Sequence, residues 1–151
     1  MIVGFVRILF YVAIGPLLLA FAGNVAIAGA LILGWATAEP GSGPLDVFAG
    51  FLSPENLTQA YIIGVVPMLL TGIVALILAV PFSGLRHWLV VAFGGASVSA
   101  ALAWLVFISN PISEGADILL LAVVSAVAGG LAGFLCAALF DLLAGLRRRP
   151  A

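Results

Sequence analysis

Charge is what this sequence has least of. Five basic and six acidic side chains are spread over 151 residues, 7% of the chain, where a soluble domain carries about 25%. No ordinary water-facing surface can be built from that supply, which excludes a soluble globular domain. The single cysteine, Cys136, excludes an intramolecular disulfide, and neither redox chemistry nor a metal site can rest on it alone. The single histidine, His87, excludes a haem held by two histidines within one chain and leaves a zinc site short of ligands. Gly41-Ser42-Gly43 lacks the following helix and lysine of a phosphate-binding loop. No serine, histidine and carboxylate set is expected to converge. We therefore read no catalytic residue, no cofactor site and no metal site, and do not expect an enzyme.

What the chain has in abundance is apolar length. Hydrophobic residues make up 65% of it, and the mean hydropathy is +1.37. From Ile118 to Phe140 there is no charge at all. As an α-helix that run is roughly 34 Å long, enough to cross a hydrocarbon core of about 30 Å. Comparable runs cover about 8–35, 59–80 and 88–108, with the last span at about 117–143. They are continuous and lack the alternation of barrel strands, so helices are expected.

The reading is one all-α membrane domain over 1–151, with four transmembrane helices in an antiparallel bundle. Pro16 removes the hydrogen bond to the Val12 carbonyl and is an expected kink point, and Pro67 removes the one to Ile63. Ala20-Phe21-Ala22 before Gly23 has the look of a signal-peptide cleavage site. The apolar run continues to Leu33, and a retained first helix is expected. The connection 36–58 is the longest, broken by Glu39-Pro40-Gly41-Ser42-Gly43-Pro44. Within it, Asp46 to Leu52 is expected to form a short interfacial helix.

Orientation follows from the arginines. Arg7, Arg86 and the run Arg147, Arg148 and Arg149 lie at the N-terminus, the second connection and the C-terminus. The first and third connections hold only acidic charge, at Glu39, Asp46, Glu55, Glu114 and Asp117. The positive-inside rule then predicts both termini in the cytoplasm, with the arginines as topology and lipid anchors rather than a nucleic-acid surface. A bacterial inner membrane is the expected location. Asn56-Leu57-Thr58 fits the glycosylation acceptor pattern on the outer side.

Spans associate in lipid where small residues let backbones approach. Ser125, Gly129 and Gly133 recur at four-residue spacing in the fourth span, and Gly95, Ser99 and Ala103 in the third. These two ridges are expected to pack together. Ala22, Ala26, Ala30 and Gly34 give the first span a weaker contact face.

Polar groups inside a span are functional candidates because they are costly to keep there. Asn24 and Asp141 are the two read here. For Asn24 an interhelical hydrogen bond is expected ahead of contact with a substrate or ion. Asp141 is expected near the cytoplasmic interface, with Arg147, Arg148 or Arg86 as its partner. Arg7 is expected to reach lipid phosphates, and His87 to anchor at the interface.

In size and layout the chain resembles the small four-helix membrane subunits of tripartite substrate-binding-protein-dependent transporters. The resemblance is one of layout and carries no residue role across. The expected function is that of a small accessory or structural subunit of a larger membrane complex, its partners being the lipid bilayer and other membrane chains. The alternative is a small oligomeric transporter, flippase or channel, in which Pro16, Asn24 and Pro67 would border a polar path.

Overall fold

The structure, a computed structural model, describes residues 2–33, 53–78, 84–109 and 115–146. These form four helices and, among the described residues, no strand: α1 (Ile2–Ile32), α2 (Pro54–Leu78), α3 (Leu85–Ser109) and α4 (Gly115–Leu146). All four contain segments long and apolar enough to cross a membrane, at Gly4–Ile32, Pro54–Ile77, Leu85–Leu105 and Leu119–Gly145. The expected interfacial helix at 46–52 and the arginines at 147–149 lie outside the described residues.

All four helices begin ahead of the spans read from charge-free runs, and α3 and α4 also end beyond them. Two of those boundaries were drawn at charged side chains that the fold accommodates inside a helix: Arg7 stands in α1, and Arg86 and His87 in the first turn of α3. α2 begins at a cap. The Ser53 hydroxyl accepts from the Asn56 amide at 3.3 Å, and Pro54 follows at the first helical position, where its missing N–H costs nothing. The Asn56-Leu57-Thr58 pattern therefore sits on this first turn. Gly84, at φ 60°, makes the left-handed turn that admits α3 directly after a short connection.

α3 and α4 share the most extensive contact; α1 packs on both α4 and α2, and α2 on α3. α1 and α3 lie across a diagonal. Gly4 faces Leu76 and Gly15 faces Met68; Val91 meets Gly133 and Ser99 meets Gly129.

The interior is built largely from small side chains, with Ala22, Ala75, Ala128, Ala132 and Ala137 in one core cluster around Tyr11, Met68 and Val91. Large apolar residues face outward instead, Phe93 being 78% exposed and Ile62 73%. That distribution suits hydrocarbon, which offers no drive to bury leucine but rewards close backbone contact.

Proline interrupts neither helix. α1 runs unbroken through Pro16 and α2 through Pro67, both prolines being buried. The loosened turn before Pro16 gains an outside partner: the Tyr61 hydroxyl donates to the Ala13 carbonyl at 2.6 Å. One turn after Pro67, the Thr71 hydroxyl donates to the Pro67 carbonyl at 2.8 Å.

Candidate functional site

Three features stack along the bundle: a polar cluster at one end, a backbone-to-backbone crossing in the middle, and a cavity towards the other end.

The polar cluster joins α1, α3 and α4 about one turn inside their ends. Arg7 Nη2 donates to Asp141 Oδ1 at 2.9 Å, and Trp88 Nε1 donates to Asp141 Oδ2 at 2.8 Å. Each carboxylate oxygen thus receives one hydrogen bond, from a different helix. The Arg7 guanidinium also lies 4.9 Å from the centre of the Phe140 ring, a cation–π contact. Phe140 meets Phe10 edge-on at 5.6 Å, and Phe134 meets Trp88 edge-on at 5.7 Å. The ion pair is therefore embedded in aromatic rings contributed by the same three helices.

Beside it lie Tyr11, fully buried, and His87, 3% exposed. The Tyr11 hydroxyl, both His87 ring nitrogens and Arg7 Nε have no hydrogen-bond partner among the described residues.

This arrangement corrects three expectations. Asp141 is held by Arg7, from the opposite end of the sequence, and Arg86 is exposed. Arg7, expected to reach lipid phosphates, is bound through Nη2 to that carboxylate, a counter-charge whose attraction is strong in low dielectric. His87 is buried rather than laid at the interface, because it is the neighbouring Arg86 and Leu85 that face outward. Asn24 also departs from its expected role. Its Nδ2 donates to the Ala20 carbonyl of its own helix at 2.9 Å, the local bond that four-residue spacing always offers.

At the crossing of α3 and α4 there is no room for a side chain. A Cβ on Gly95 would fall against the Gly129 carbonyl oxygen, and one on Gly129 against Ser99 Oγ and the Gly95 carbonyl. At Gly133 it would stand 2.9 Å from the Val91 carbonyl. Gly95, Ser99, Gly129 and Gly133 thus meet in one seam.

Ser125, one step further along the same ridge, lines the cavity. This opening has a volume of about 590 Å³ and takes walls from all four helices, among them Leu19, Pro67, Ser99, Ala103, Leu121 and Ser125. Ser99 also borders the opening, but its Oγ lies against Gly129 in the seam, with no hydrogen-bond partner among the described residues.

Among the described residues, no group of three histidine, cysteine or carboxylate side chains gathers as a metal site. Comparison with protein-family models, with curated proteins and with solved structures gives no match.

The sequence reading missed the Arg7–Asp141 pair and the cavity. The pair did leave a signal. Arg7 and Asp141 are opposite charges set in the first and last apolar helices, and the positive-inside reading already placed both near the same membrane face. The cavity left none, since its walls are ordinary apolar residues from four separate segments.

Proposed function

We propose that this chain is a non-enzymatic accessory or structural subunit of a larger membrane complex. It forms an antiparallel four-helix bundle in a bacterial inner membrane, with both termini in the cytoplasm. One observation carries the reading: Arg7, Asp141, Trp88, Tyr61, Thr71 and Asn24 all find hydrogen-bond partners within this chain. Asp141 takes Arg7 and Trp88, Tyr61 caps the Ala13 carbonyl, Thr71 and Asn24 bond to their own helices, and α1 and α2 pass unbroken through their prolines. A conducting path would need such groups turned towards a common lumen. The arginine distribution supports the orientation.

The test is native mass after gentle detergent extraction from the source membrane, with every co-purifying chain identified. A larger partner in fixed stoichiometry is the expected result. A lone monomer or homo-oligomer overturns the subunit reading. The alternative, a small oligomeric transporter, flippase or channel, draws on the cavity between the four helices. Liposome flux that is lost on Asn24→Leu would favour it.

A further inference from the structure

We propose that His87 is a proton-operated release on the junction that Asp141 makes between α1, α3 and α4: protonation of its ring loosens that end of the bundle. The inference goes beyond the subunit reading and requires no partner chain.

The ring is 3% exposed, and neither of its nitrogens has a hydrogen-bond partner among the described residues. Both nitrogens are sealed from any ligand with volume. A proton needs no cavity, and it arrives when the helix end opens locally. The neutral imidazole carries one N–H and one acceptor nitrogen; the protonated ring carries two N–H groups and a positive charge. Histidine is the side chain whose ordinary titration falls between about pH 5 and 8.

What surrounds the ring decides where that charge can go. Arg7 of α1 and Asp141 of α4 both act on it electrostatically. Tyr11 of α1 lies within reach of the same two charges and of Cys136 on α4. On its own helix Arg86 points outward. The titratable side chains described in α2, Glu55 and Tyr61, lie towards its start, whereas Leu76 near its end is what faces Gly4 here. Among the described residues Asp141 is thus the carboxylate that meets the ring, and each of its oxygens already receives a hydrogen bond, from Arg7 and from Trp88. A protonated ring that stays in place sets a second cation beside Arg7 with no acceptor, a cost that low dielectric enlarges. A ring that turns to Asp141 competes with Arg7. It also pulls on Trp88, the next residue, which is held by Asp141 at 2.8 Å and by the edge-on contact with Phe134 at 5.7 Å. Both routes weaken the junction.

The experiment uses the full-length protein without a histidine tag, reconstituted in phosphatidylcholine vesicles. Trp35→Phe and Trp104→Phe leave Trp88 as the sole tryptophan, and His87 is already the sole histidine. Tryptophan emission and the imidazole signal of histidine-labelled protein by NMR are followed from about pH 8.5 down to about pH 4.5, which brackets the ordinary histidine range. The proposal expects Trp88 emission to shift to the red in one step as its bond to Asp141 loosens, with the imidazole signal titrating at the same midpoint. His87→Gln and His87→Leu should keep the emission seen at high pH throughout. Emission that stays constant while the ring titrates overturns the proposal. So does a ring that does not titrate, a pair of midpoints about one pH unit or more apart, or a red shift that persists in either His87 variant. The comparison of midpoints is read with His87 in place, so it decides the matter even where a variant fails to fold. None of these results depends on whether a partner co-purifies.

Discussion

The Asp141 carboxylate is the residue on which three helices converge, and its removal should be felt in all of them. Asp141→Leu leaves the Arg7 guanidinium and the Trp88 indole N–H without their acceptor. Losing one partner of a fully buried pair costs about 3–5 kcal/mol. Here Arg7 and Asp141 are 16% and 32% exposed, so the expected loss is smaller, about 2–3 kcal/mol. Unfolding titrations in mixed micelles would measure it. Arg7→Leu combined with Asp141→Leu should recover part of the loss, giving a coupling of about 1 kcal/mol or more in a double-mutant cycle. Additive losses would mean that the pair contributes nothing as a pair. Trp88→Phe keeps the ring against Phe134 but deletes the donor, and should cost about 1 kcal/mol. That Asp141 would need a counter-charge was legible in the sequence, because an isolated carboxylate in an apolar helix is too costly to leave alone. Which arginine supplied it was not. The two residues are 134 positions apart, and the nearer arginines offered equally good charge with shorter separation.

At the level of the helix, the seam between α3 and α4 is set by glycines whose missing side chains are filled by the neighbour's backbone. Gly129→Leu must displace Ser99 and the Gly95 carbonyl, and backbone cannot yield as a flexible side chain does. The expected cost is at least about 2 kcal/mol, read as a fall in thermal stability in detergent. Gly29→Leu in α1 has nothing within 4 Å of the new Cβ and should stay within about 0.5 kcal/mol of wild type. Equal stability of the two variants would sink the seam argument. The four-residue spacing of Gly95, Ser99, Gly129 and Gly133 could be read directly, because the helix repeat brings such positions onto one ridge. The part played by Ser125 could not. Whether a residue at the end of a ridge meets the partner helix or a cavity depends on how the four helices splay, and spacing within one helix carries no record of that.

For the whole molecule, the proposed orientation is checked with introduced cysteines, since Cys136 is buried and gives little background. Ser53→Cys should react with a membrane-impermeant maleimide on intact cells, and Ser83→Cys only after permeabilisation. The reverse pattern would invert the topology. The sequence by itself determined that the molecule is helical and carries four helices long and apolar enough to cross a membrane. Scarce charge and long uninterrupted apolar runs admit hardly any other solution in a medium that cannot hydrogen-bond to the backbone. It also determined where backbones come close, because small residues are where lipid-embedded helices meet. Only the tertiary structure decided that Arg7 answers Asp141, that His87 is drawn inside, that Asn24 turns back onto its own helix, and that the Ser99 hydroxyl is pressed against Gly129. Each of these depends on what stands opposite a residue in another helix, and local periodicity fixes the face a side chain occupies but not the neighbour it finds there.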